Sequence, residues 1–212
     1  MKSFRHIIVV LVLATGLTGK AQTLLHPKIS GLGFHPFETE NRPLFENALD
    51  ANAQWVVEPN FMLSVETYLR GTQLSWRFMP GVYVDAAAVP ALFFHAGLKL
   101  RVLQIYRSSF DIALGPTYNF RKDWHKYDNY NEEGDFNLNG TWENQFYLLG
   151  ELEYKFFLSD HFDITSSVIF GHQRETFTFT FGLRYWLSTK IKHPIDCSSC
   201  PFDDISTKPR RR

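Results

Sequence analysis

The stretch Phe177-Thr178-Phe179-Thr180-Phe181-Gly182-Leu183-Arg184-Tyr185-Trp186 decides how this chain reads. Phe, Leu and Tyr hold the odd positions and continue to Leu187, while Thr176, Thr178, Thr180 and Arg184 hold even ones. Successive side chains of an extended backbone point to opposite sides, so a period of two marks a β-strand with one apolar and one polar face.

The same alternation recurs upstream. Phe162, Ile164 and Val168 oppose Asp163, Thr165 and Ser167; Phe146, Leu148, Leu152, Tyr154 and Phe156 oppose Glu151, Glu153 and Lys155. Phe110, Ile112, Leu114 and Tyr118 oppose Asp111, Thr117 and Asn119, and Leu92 to Val102 opposes His95, Lys99 and Arg101. Leu74, Trp76 and Phe78 alternate with Gln73, Ser75 and Arg77; Leu63, Val65, Thr67 and Leu69 alternate with Glu66 and Arg70. A further alternating run extends from Phe45 to Trp55. Helical periodicity is almost absent, so the fold class is all-β with one antiparallel sheet, either a soluble sandwich or a membrane barrel.

Three features select the barrel. Several strands reach roughly 11 to 15 residues, enough for the ~9–11 that cross a tilted bilayer. Connections alternate in length: Glu58-Pro59-Asn60 and Ser159-Asp160-His161 read as tight turns, whereas residues 121–141 form a long polar loop. Aromatic residues gather at strand ends (Trp55, Phe61; Tyr118, Phe120; Trp142, Phe146; Phe156, Phe157; Tyr185, Trp186), as interfacial girdles require.

The last strand runs down toward the periplasm, and parity then gives eight strands. Segments 175–188, 161–171, 142–157, 108–120 and 90–103 are unambiguous. The remainder admits two accounts. In one, 61–84 is a single bent strand with a bulge at Gly71, preceded by strands at 28–36 and 44–57. In the other, Arg70-Gly71-Thr72 is a turn and 28–36 lies outside the barrel.

The N-terminus supplies the route. Lys2, Arg5 and His6 precede the apolar run Ile7 to Ala14 and a small-residue stretch ending at Ala21, the layout of a cleavable export signal over 1–21. The apolar run is too short to span a bilayer as a helix. The barrel is then assigned to 22–188, and 189–212 to a periplasmic, largely disordered tail. Basic and acidic residues number 22 each, so overall charge gives no reason to expect a nucleic-acid partner.

Taken together, the signal ending in Ala-Gln, the phased aromatic strands and the final strand over residues 177–186 resemble the small eight-stranded outer-membrane barrels grouped with outer membrane protein A. The resemblance covers roughly residues 28–188 and implies an integral outer-membrane protein with a structural, adhesive or surface-recognition role, in contact with outer-membrane lipids and expected to be monomeric. That family frequently ends on an aromatic residue, whereas here about two dozen residues follow Trp186.

On the polar face, Glu46, Asp50, Glu66, Asp111, Glu151, Glu153 and Asp163 balance Arg70, Arg77, Lys99, Arg101, Lys155 and Arg184. An eight-stranded barrel is just wide enough to be filled by side chains, so these charges are expected to pair and plug the lumen. Some barrels of this size are lipid-modifying enzymes of the lipid A deacylase kind, with a His–Ser–acid group at the rim. His95, with Ser75 and Glu66 or Glu151, is the nearest counterpart, but no His-Leu-Ser-Asn-like run accompanies it, and the expected reading is non-enzymatic. A soluble exported β-domain that binds a ligand is the third reading.

In the long loop, Trp124, Tyr127, Tyr130 and Phe136 sit among acidic residues and form the candidate binding surface for a surface ligand or envelope component. Its acids lack the one-three-five spacing and closing Glu of a calcium loop. Cys197 and Cys200 are expected to form a local disulfide in an oxidising compartment; His193 and Asp196 would be weak further ligands for a metal, and neither a metal nor a cofactor is expected.

Overall fold

A computed structural model describes residues 22–37, 41–70, 73–130, 136–159, 161–171 and 176–187. The signal segment 1–21, the tail 189–212 and the Cys197–Cys200 pair lie outside the described residues.

The chain forms strands β1 (Thr23–Phe34), β2 (Trp55–Arg70), β3 (Leu74–Val84), β4 (Pro90–Ile105), β5 (Ser108–Lys122), β6 (Asn137–Asn139), β7 (Trp142–Phe157), β8 (Phe162–Gly171) and β9 (Thr176–Trp186). Every pairing is antiparallel, each long strand pairs with its neighbour along the chain, and the sheet closes where β1 pairs with β9 and β5 pairs with β7. The short β6 only extends the top of β7 as a hairpin. The result is a closed, eight-stranded, up-and-down barrel. Closure leaves no unpaired edge, which is what allows a sheet to cross hydrocarbon.

The residues dictate which face points out. Along β5, Phe110, Ile112, Leu114 and Tyr118 are exposed while Ser109, Asp111, Ala113, Thr117 and Asn119 are buried. Exposed large apolar side chains encircle the barrel, among them Ile29, Phe146, Leu148 and Phe181, each more than 60% exposed. A water-soluble domain does not expose a continuous apolar belt of that extent, whereas lipid requires one. This inversion excludes the soluble sandwich and marks the strands as the membrane-crossing elements; no helix among the described residues is long and apolar enough to cross a membrane.

Four expectations need correcting. Both strand accounts of the N-terminal third are replaced by a hybrid: β2 and β3 are separate antiparallel strands, with Arg70 paired to Leu74, and 23–34 is inside the barrel. The phase flip near Gly71 separates two lipid-facing strands, odd outward on β2 and even outward on β3. The alternating run 45–55 is instead part of the 35–54 connection up to Gln54, with only Trp55 in β2. Asp50 folds it back, accepting from the backbone N–H of Trp55 (2.7 Å) and of Asn52 (3.2 Å).

Glu58-Pro59-Asn60 lies within β2 and is not a turn. Pro59 has no N–H for a ladder, and it sits opposite the irregularity of β1 between Ser30 and Leu32, where none is needed. Finally, Phe157 and Trp186, read as girdle aromatics, point inward and are 3% and 1% exposed. Trp186 stacks on Tyr68 at 5.7 Å and closes the short-turn end together with Leu24.

Candidate functional site

The lumen is filled in layers. Above the Leu24–Tyr68–Trp186 floor lie six cationic side chains (Lys28, Arg77, Lys99, Arg101, Lys155, Arg184) and five carboxylates (Glu66, Asp111, Glu151, Glu153, Asp163), all buried. They are connected rather than scattered. Lys99 donates to Glu66 (2.9 Å) and Glu153 (2.5 Å), Lys28 to Glu153 (2.7 Å) and Glu151, Arg184 to Glu66 (2.9 Å), Arg77 to Glu151 and Lys155 to Asp111. Trp186 Nε1 donates to Asp163 at 2.5 Å. Such charges are tolerable away from water only because nearly every one is paired and hydrogen-bonded. The expected plug is present, and it includes His26 and Lys28, which the sequence reading did not place on the polar face; Glu46 and Asp50 lie outside it, in the 35–54 connection.

His95 is fully buried within this plug. Its Nε2 accepts from Arg77 Nε at 3.1 Å, so its proton sits on Nδ1, 2.9 Å from the Thr117 hydroxyl. Ser75 instead donates to the Lys99 carbonyl at 3.5 Å. The His95–Ser75 arrangement of a rim esterase is therefore not assembled: the imidazole acts as an acceptor for Arg77 far below the mouth.

Over the plug lies an apolar layer of Met62, Met79, Phe93, Leu149 and Ile169. Above it, at the long-loop end, a vestibule of about 190 Å³ opens between the strand tips. Its wall carries Glu58, Asn60, Tyr83, Asn119, Gln145 and Tyr147, and its rim carries His35, Asp85, Arg121, Trp124, Tyr130 and Phe136. Barrel mouths with a few converging polar groups over an apolar base are common small-molecule sites.

The rim is built by folded loops. Trp124, from the 3₁₀ turn Trp124–Lys126, packs with Phe45, Val56, Ala86 and Ala87. Its indole N–H donates to Asp85 Oδ2 at 2.7 Å and its backbone N–H to Glu143 Oε1 at 2.6 Å. Asp85 Oδ1 meanwhile accepts from the N–H groups of Ala87 (3.1 Å) and Val89 (3.0 Å), so one carboxylate ties the 85–89 connection to the long loop. Burial, reinforced by the nearby charge of Glu58, pushes the Asp85 carboxyl up to about 6 against its hydrogen bonds. Arg121 donates to Glu143 Oε2 at 2.7 Å and lies between the rings of Trp124 (4.1 Å) and Phe136 (3.7 Å).

The four loop aromatics singled out from sequence are thus placed as follows. Trp124, Tyr130 and Phe136 line the vestibule, with the Tyr130 hydroxyl accepting from Arg121 at 2.9 Å. Tyr127 packs on the loop cluster and donates to the Ala87 carbonyl at 3.4 Å. Sequence reasoning missed Glu58, Asp85 and His35, since each lies in a segment without a motif.

Two groups of described residues bring ligand-type atoms together. In His26, Glu66 and Glu153 the carboxylates already hold lysine and arginine. At the surface, Asp123, His125 and Glu143 converge, with His125 Nδ1 at 3.2 Å and 2.8 Å from the two carboxylates. The same carboxylates cap the 3₁₀ turn, accepting from the N–H groups of His125 and Trp124, and this role accounts for their placement.

A closed barrel of eight strands, apolar outside, charged and filled inside, with short turns at one end and folded loops at the other, is an outer-membrane β-barrel of the small kind. No protein-family model matches the chain, and no curated protein matches its sequence. Among solved structures it is similar to Neisserial surface protein A (6% identity, TM-score 0.48, 78% of this chain and 96% of that one). It is similar too to the N-terminal β-barrel domain of Pseudomonas aeruginosa OprF (9%, TM-score 0.45, 78% and 98%). The attachment invasion locus protein Ail of Yersinia pestis gives 10% identity, TM-score 0.43, 78% and 96%.

Proposed function

We propose that the protein is a non-conducting, non-enzymatic outer-membrane scaffold that holds a recognition face at the cell surface. The observation that carries this reading is the double closure of the lumen, by the ion-paired plug and by the apolar layer above it, beneath a mouth where Phe45, Val56, Ala86, Ala87 and Trp124 pack together. A barrel whose interior is occupied by paired charge has no water-filled path for solute, so its surface-exposed end is where specificity belongs. Long loops face outward in such barrels, which puts the vestibule and Trp124, Tyr127, Tyr130 and Phe136 outside the cell. The same reading has 1–21 removed on export, 189–212 in the periplasm, Cys197 and Cys200 joined there, and a monomer surrounded by lipid.

The test is fractionation with protease shaving of intact cells, followed by planar-bilayer recording of the purified barrel. Membrane location, heat-modifiable migration, cleavage confined to residues 121–141 and silent current traces are expected. Recovery of the mature chain from the soluble periplasm, or stepwise ohmic conductance, overturns the proposal.

A further inference from the structure

Glu58 is the anomaly of the vestibule. It is 8% exposed, and among the described residues no Lys or Arg reaches its carboxylate. The nearest group is His35, whose Nε2 lies 3.3 Å from Oε1 and itself has no hydrogen-bond partner. Glu143 at the same mouth shows the contrast: it holds Arg121 at 2.7 Å and caps a turn. His35 is a counter-charge only when protonated, so beside a neutral imidazole the carboxylate opens onto the vestibule with no cation of the described residues against it.

Glu58 is also accommodated by the backbone. A Cβ on Gly33 would lie 2.0 Å from Glu58 Oε2, so glycine at 33 is what leaves room for the carboxylate on the wall. Asp85, 6% exposed, adds a second negative group at the rim. The rings of Tyr83, Phe93 and Tyr147 line the same vestibule. Carboxylate charge set among aromatic faces is the chemistry that recognises an ammonium group, since ring faces attract cations that have been stripped of water. About 190 Å³ accommodates a head group of a few heavy atoms.

We infer that the vestibule binds a small organic cation, an alkylammonium head group, with Glu58 as its counter-charge. This assigns a ligand class to the recognition face proposed above and rests on that reading for its cellular meaning. Conductance and shaving test the scaffold; the binding measurement below tests the cation site by itself, so either can fail alone.

The purified barrel in a maltoside detergent, which carries no ammonium group, is titrated with tetramethylammonium chloride, and in parallel with the neutral analogue tert-butanol. Binding is followed by saturation-transfer NMR. Saturable tetramethylammonium binding is expected, weakened at least tenfold in Glu58→Gln and likewise in Gly33→Ala, which crowds the carboxylate without removing its charge. Retained heat-modifiable migration shows that each variant is folded. Absence of saturable binding to the native barrel, equal binding by folded Glu58→Gln, or equal binding of tert-butanol overturns the inference.

Discussion

Replacing Glu66 by Gln tests the idea that the lumen is a single ion-paired unit. The side chain is fully buried and sits at a branch point: Oε1 holds Lys99 at 2.9 Å and lies 3.3 Å from His26, while Oε2 holds Arg184 at 2.9 Å. Glutamine keeps the shape and removes the charge. Lys99 retains Glu153 at 2.5 Å, but Arg184 is left with the Tyr68 hydroxyl at 3.3 Å as its hydrogen-bond partner. Orphaning one buried charge of a pair typically costs about 3–5 kcal/mol; because one lysine stays paired, about 3 kcal/mol is expected here. The assay is urea unfolding in lipid vesicles, followed by tryptophan fluorescence and gel migration. Adding Arg184→Met to Glu66→Gln removes the orphan, so the double variant should recover at least about 1 kcal/mol relative to additivity. A loss below about 0.5 kcal/mol in the single variant, or strict additivity in the double, refutes the reasoning.

Other expectations follow from the outer face and the rim. Leu114, mid-strand on β5 and 57% exposed, faces lipid, so Leu114→Arg should destabilise the vesicle-inserted barrel by about 2–4 kcal/mol; a neutral result would contradict the membrane assignment. For Asp85, the carboxyl is raised from 3.8 to about 6, so the folded rim binds the proton more tightly than the unfolded one. Rim stability is therefore greatest below about pH 4 and declines by up to about 3 kcal/mol as pH rises through 6. Hydrogen exchange of residues 85–89 and 123–130 from pH 4 to 7 measures this, and Asp85→Asn should flatten the profile. Trp124→Phe deletes the indole donor to Asp85 and should loosen the same loops by about 1–3 kcal/mol, read as faster protease cleavage within 123–141.

Much of the barrel was legible because lipid enforces a strict period of two: β4, β5, β7, β8 and β9 follow directly from it. Legibility failed where another cause produced or hid the pattern. Residues 45–55 alternate yet are folded back by Asp50, a local hydrogen-bonding effect that no periodicity reports. Pro59 looked like a breaker because its tolerance depends on a ladder irregularity in a different strand. The charged plug could be read as a set of residue types, but the apolar layer could not, since Phe93, Leu149 and Ile169 are flanked by lipid-facing apolar neighbours and erase the contrast. Glu58 and Asp85 were invisible for a different reason: their significance lies in what surrounds them after closure.

The layer of Met62, Met79, Phe93, Leu149 and Ile169 also has a kinetic consequence. It makes the vestibule a blind alley, entered and left by one door. At its rim the 85–89 and 123–130 segments are fastened together by Asp85 and Trp124. For an occupant of a one-door site of this kind, affinity is tuned through dissociation far more than through encounter.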